Sequence, residues 1–181
     1  MIGVIVEGES DEKVIREITQ KLGVPAKIRR SRRGATIQNP RKTGSYVVDL
    51  LSDCEKVVIL KDSHCSDPHE KEEKLRERLQ EEGLLVDGDL HVCIVVHAIE
   101  SWLLADEEAI GDYLSSKVRE IHNPENECKP EEVLDELFKR YGKVYLKGGD
   151  APGELARRLN LEKVSHKCPS FKKCKALIEK R

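Results

Sequence analysis

Three short apolar, largely β-branched runs, at residues 2–6, 57–60 and 92–96, each close near an acidic residue, Glu7, Asp62 or Glu100, and then pass into a segment of helical periodicity. Val- and Ile-rich runs of this length read as buried strands. Strands that alternate with helices imply a parallel, doubly wound sheet, because right-handed crossovers lay the helices on its faces. Ligands of such sheets bind beyond the carboxyl ends of the strands. The same topology therefore gathers Glu7, Asp62 and Glu100 on one edge, although 93 positions separate the first from the last.

Along the chain, Ser10 is a candidate cap for a helix whose first turn carries Asp11 and Glu12 and whose apolar stripe is Val14, Ile15, Ile18 and Leu22. Gly23 closes it. Residues 25–28 read as a short second strand running into Arg29, Arg30, Arg32 and Arg33, followed by a polar loop with Gly34, Asn39 and Pro40. Beyond Thr43 and Gly44, the spacing of Tyr46, Val47, Leu50 and Leu51 is helical. Asp67 and Pro68 supply the cap and first position of a largely exposed helix to about Glu82. Residues 98–106 form another helix, with Glu100 at the junction. From Ile110 onward the strand signals stop, and helices are expected over 130–141, 152–159 and 170–180. The expected architecture is an α/β fold of Rossmann-like type: a mostly parallel four-stranded sheet flanked by helices over 1–110, with a C-terminal helical extension over 111–181 packed on it.

A chain of 181 residues buries roughly 70% of its extended surface on folding and needs no staples to form a core. No apolar run approaches the roughly 20 residues that span a bilayer, and residues 1–6 are too short for a signal peptide, so a cytoplasmic protein is expected. Six cysteines with no CxxC pair are expected to be reduced thiols, Cys93 serving as a small hydrophobe and Cys54 and Cys128 as packing residues or surface thiols. Charged residues make up 36% of the chain but the net charge is -2, so a nucleic-acid footprint has to be local.

Three carboxylates on one edge repel unless a cation lies among them, and hard oxygen ligands suit Mg²⁺ or Mn²⁺. Gly8 lets a phosphate or metal approach the backbone closely. The bland alternative is that Glu7, Asp62 and Asp67 cap helices or complement their dipoles. His64, Cys65, Asp67 and His69 offer nitrogen and sulfur ligands, but at a spacing that matches no standard zinc site. Arg29, Arg30, Arg32, Arg33, Arg41 and Lys42 are candidate phosphate contacts or a solvated loop, and Lys147 beside Gly148 and Gly149 is a candidate phosphate or transition-state contact or a plain surface lysine. Trp102 lies at helical spacing from Ile99 and Ala105 and reads as a packing residue.

The run ending in Glu7-Gly8 and a helix, then the run ending near Asp62-Ser63-His64, resembles the Toprim domain of topoisomerases, primases and overcoming-lysogenization-defect nucleases. The stretch from Ala98 through Glu100, Ser101 and Trp102 to Asp106, with Tyr145-Leu146-Lys147 and Cys168-Pro169-Ser170-Phe171, is similar to an uncharacterised bacterial and archaeal Toprim-like family. The resemblance implies that Glu7 is a general acid/base or metal ligand, Asp62 the first acidic ligand and Glu100 the further acid of the nuclease branch. Toprim domains usually carry Asp-x-Asp, whose second position is here His64, with Asp67 a substitute from the loop. The implied function is Mg²⁺- or Mn²⁺-dependent cleavage of DNA or RNA. A non-catalytic nucleic-acid or nucleotide binding module, partnered with an ATPase in a defence system, is the alternative, and hydrolysis of a small phosphate ester a third.

Overall fold

The structure, a computed structural model, describes residues 1–31, 39–84 and 88–179. Strands β1 (Ile2–Val6), β2 (Ala26–Arg30), β3 (Lys56–Asp62) and β4 (Leu90–Val95) form a four-stranded sheet in the order β2-β1-β3-β4, and every pairing is parallel. Helices α1 (Glu9–Lys21), α2 (Pro40–Leu51) and α3 (Pro68–Glu81) connect them. The chain moves from β1 outward to β2, then returns past β1 to β3, so the strand order reverses between β1 and β3. That reversal opens the crevice where open α/β sheets bind ligands.

Strand alternation divides the core in two. Val4, Val6, Val58, Leu60, Cys93 and Val95 face α1 and the C-terminal helices, whereas Ile5, Val57, Ile59, Val92 and Ile94 face α2 and α3. Gly3 belongs to the second face: a Cβ there would stand 3.0 Å from Leu50 Cβ, so its absence lets α2 close on β1. Beyond β4 come α4 (Glu100–Leu104), α5 (Glu107–Leu114), a 3-10 turn (Pro124–Asn126), α6 (Pro130–Arg140), α7 (Ala151–Arg158), α8 (Leu161–Lys167) and α9 (Pro169–Glu179). Their buried residues, Phe138, Leu155, Val164 and Phe171 among them, belong to one cluster with β1 and α1. Trp102 is fully buried, donates to Ser170 Oγ at 2.9 Å and meets Phe171 edge-on, as a packing residue. Among the described residues no helix is long and apolar enough to cross a membrane.

Several boundaries differ from expectation. Helix α1 begins at Glu9 with Gly8 as its N-cap, because Asp11 Oδ2 accepts from Gly8 N at 2.8 Å and Ser10 is drawn into the first turn. Helix α2 starts earlier, at Pro40, after Asn39, whose side chain accepts from Lys42 N. The helix expected over 98–106 ends at Leu104, and Asp106 caps a separate α5. Helix α8 was not anticipated at all.

The thiol expectation is also corrected. Cys65 and Cys128 form a disulfide, with Cα atoms 5.1 Å apart, within the range a disulfide bridges. The fold brings the segment after β3 against the segment before α6, a proximity that 63 residues of separation conceal. Cys54, Cys93, Cys168 and Cys174 are free and buried.

Candidate functional site

At the carboxyl ends of β1 and β3, side chains alternate between the two faces, and the candidate residues sort accordingly. Lys61 continues the α2/α3 face and Asp62 the α1 face. Glu7 turns to the lysine: its Oε1 accepts from Lys61 Nζ at 2.8 Å and its Oε2 from Asp62 N at 3.2 Å. Lys61 is only 8% exposed, so this pair works in a partly desolvated setting. Lys71 of α3 donates to Ser63 O at 2.7 Å, and its ammonium is held below its usual pKa by burial and by Lys61. His64 lies in the same neighbourhood, and burial followed by the Lys71 charge pushes its imidazole pKa down.

Asp62 meets a different company. Burial pushes its carboxyl well above the ordinary carboxylate range, and the charges of Asp11, Glu7 and Glu100 push the same way, against Lys147. Asp11 is itself raised, chiefly by burial, with Glu7 adding to it while Gly8 N and Ser10 oppose. Glu100, 1% exposed at the start of α4, is raised mainly by burial, opposed by Lys147 and by the Tyr145 hydroxyl, which donates to Oε1 at 3.2 Å. Lys147 Nζ stands 3.6 Å from the same oxygen. Burial weakens the lysine's charged form, but Glu100, Glu131, Asp62 and Asp11 outweigh it and raise the ammonium pKa. Lys13 holds this segment in place by donating to the carbonyls of Gly148 and Gly149 at 3.0 and 2.8 Å.

Glu7, Asp62, Glu100 and Lys147 therefore occupy one edge, in two adjoining groups: an acidic one of Asp11, Asp62 and Glu100 with Lys147 and Tyr145, and a largely basic one of Lys61, Lys71 and His64 around Glu7. Asp67 takes the bland role, capping α3 by accepting from Glu70 N at 2.9 Å. Among the described residues no three His, Cys, Asp or Glu side chains stand so as to hold one ion between them. The zinc reading loses its sulfur, since Cys65 is bonded to Cys128, while His69 lies 3.6 Å from Glu73.

The described arginines of the basic segment, Arg29 and Arg30, do not share a face of β2. Arg29 pairs with Asp49 of α2 at 2.5 Å, and Arg30, on the opposite face of β2, pairs with Glu9 of α1 at 3.1 Å. Lys42 is exposed on the first turn of α2. Arg32 and Arg33 lie outside the described residues.

Sequence reasoning missed Asp11 as a site residue, although a signal existed: it precedes Ile15 and Ile18 at helical spacing on the buried stripe of α1, where an acid is unexpected. It missed Lys61 and Lys71 because a lysine inside a strand or on a charged helix carries no mark of its partner. His97 was missed too. Its Nδ1 lies 2.6 Å from His64 O and donates to that carbonyl, and both histidines have left-handed backbones, φ 59 and 50.

A family model described as a domain of unknown function (DUF4276) matches residues 6–176. No curated protein and no solved structure matches the chain.

Proposed function

We propose that this chain, which belongs to the DUF4276 family, is a divalent-metal-dependent phosphodiester hydrolase acting on nucleic acid, with Asp62, Asp11, Glu100 and Glu7 at its centre. One observation carries the reading: three carboxyls beside the strand-order reversal, Asp11 and Glu100 buried and Asp62 half-buried, all have their charged forms disfavoured by loss of solvent, and for Asp62 the other acids add to it. Such an arrangement is costly without a compensating cation, and perturbed acids in a crevice are candidate functional groups. The resemblance to Toprim domains, with Glu7, Asp62 and Glu100 in the roles it implies, points the same way and is part of the proposal.

The donor set fits Mg²⁺ or Mn²⁺ by its chemistry, being made of hard oxygens with a net negative charge. Asp11, Asp62 and Glu100 would hold the ion, with Glu7 joining them on leaving Lys61. Since no three of these groups converge as they stand, binding requires their side chains to rearrange. A divalent ion bound there supplies Lewis-acid polarisation of a phosphoryl oxygen. The chain's own residues would do the rest: Lys147 balances charge beside Glu100, Tyr145 orients that carboxylate, and Lys61 and Lys71, across the strand end, would receive phosphate oxygens on leaving Glu7 and the Ser63 carbonyl.

The test is cleavage of single- and double-stranded DNA and RNA with Mg²⁺ or Mn²⁺. Wild type is expected to cut, with Asp62→Asn and Glu100→Gln slowed roughly a hundredfold or more; no cutting under either ion overturns the reading. The absence of a preformed ion cage among the described residues favours a second reading, a nucleotide or nucleic-acid binding module serving a partner ATPase. Titration calorimetry that finds oligonucleotide binding without turnover selects it.

A further inference from the structure

The disulfide lies beside the candidate site and not in the interior. Cys65 follows His64 in the four-residue segment, 63–66, between the end of β3 and the α3 cap, and Cys128 lies between the 3-10 turn and α6. Both are exposed, while the other four cysteines are buried. The segment it anchors is held in an uncommon conformation. His64 and His97 both take left-handed backbones, which residues with a Cβ adopt rarely. They are joined as a bridge: His64 N donates to His97 O at 2.8 Å, and His97 N to Ser63 Oγ at 2.8 Å. His97 leads directly into Glu100. At the other end, Cys128 introduces α6, whose Phe138 meets the Tyr145 ring at 5.4 Å, and Tyr145 donates to Glu100. Both ends of the covalent link thus lead to the edge where the acids meet.

We infer that Cys65–Cys128 is a reversible redox site, opened by a dithiol reductant, and that its opening frees the His64–His97 bridge beside the carboxylate edge. In the reaction, a thiolate of the reductant attacks either exposed sulfur and displaces the other as a thiolate. The second reductant thiol then attacks the mixed disulfide. Two electrons and two protons pass to the protein, giving two cysteine thiols and one oxidised reductant disulfide. Exposed disulfides are the ones open to such attack, and burial shields the remaining four thiols. A strained segment persists only while its surroundings over-determine it, so loss of one covalent anchor lets residues 63–66 and 96–98 relax.

The inference stands whether or not the edge cleaves phosphodiesters, because its readout requires no metal and no substrate. The full chain, oxidised in air, is alkylated under native conditions before and after dithiothreitol, and amide hydrogen exchange is followed in both states. The expected result is no rapid labelling of cysteine before reduction, labelling at Cys65 and Cys128 after it, and exchange at 63–66 and 96–98 faster by roughly tenfold or more. Cys65→Ser should exchange like the reduced protein and ignore dithiothreitol, while Cys54→Ser keeps the full response. Labelling of Cys65 before reduction, or equal exchange in the two states of the wild type, overturns the inference, and the wild-type comparison decides even where a variant does not fold.

Discussion

Asp62 stands where burial and like charge both act against its ionised form, and that fixes how the chain responds to pH. Asp11, Asp62 and Glu100 all have carboxyl pKa values above the ordinary range in the fold. The native chain therefore holds these protons more tightly than the unfolded chain. Their contribution to stability is fully present below the unfolded carboxyl range and is lost as pH rises through their raised native values. Asp62→Asn removes the charge and keeps the shape. Near neutral pH the variant should be more stable than wild type by on the order of 1–3 kcal/mol, the cost of an undercompensated buried polar group, and the difference should shrink toward about pH 4. Urea denaturation at both pH values checks this; equal stability near pH 7 would mean that the carboxylate is compensated. In the sequence, Asp62, Glu7 and Glu100 were visible because each closes a different apolar run. Asp11 was hidden by its own good sense as a first-turn acid, a role compatible with its position and blind to its burial. The partition of Glu7 and Asp62 onto opposite faces followed from strand alternation, but only once β3 was known to run through Asp62.

At the scale of elements, two capping aspartates of similar appearance differ in weight. Asp67 caps α3 from an exposed position and accepts from Glu70 N. Asp67→Ala should lower stability by about 1 kcal/mol, and Asp67→Ser should restore most of it, since serine caps comparably. The pair also separates cap from ligand, because serine preserves the first and not the second: any divalent-ion affinity should survive in Asp67→Ser. Asp106 is a buried hub. Its carboxylate accepts from Glu108 N, Ala109 N, Asn160 N and Lys163 Nζ, tying the start of α5 to the start of α8. Asp106→Ala strands three backbone donors, while Lys163 keeps Glu107 as its partner at 2.8 Å, and should cost about 2–3 kcal/mol; thermal melts of both alanine variants test the contrast. The same hub explains why α8 escaped notice. This seven-residue helix buries only Val164, and is held by the Asn160 cap and by Lys163 and Lys167 reaching Asp106 and Glu107. A helix held mainly by distant charges leaves only a weak apolar signal, Leu161 and Val164, whereas α3 announced itself through Asp67 and Pro68, with Leu75, Leu79 and the Glu70–Lys74 pair in support.

For the molecule as a whole, the expected division at residue 110 separates a sheet from helices that follow it, and the packing bears on whether either part is stable by itself. Leu134, Phe138, Leu155, Val164, Phe171 and Ile178 all come from beyond that point, and all are buried in the cluster built on β1, α1 and Trp102. At about 1.5–3 kcal/mol for each buried large side chain, these six supply on the order of 10 kcal/mol. That is as large as the whole net stability of a typical domain, about 5–15 kcal/mol. Surface ion pairs do not make up such a loss, however many a chain with 36% charged residues can form, because exposed pairs contribute about 0–1 kcal/mol each. The strand signals identified the sheet, but the helical stripes past Ile110 gave no sign of which sheet face they cover, and only the shared cluster shows it to be the α1 face. A fragment of residues 1–110 should therefore lack a cooperative thermal transition and bind an apolar dye, while the full chain unfolds in one step with coincident far- and near-ultraviolet dichroism. A fragment that melts cooperatively near the temperature of the full chain would show that β1–β4 and their crossover helices form a domain in their own right, with the later helices as a dispensable cover.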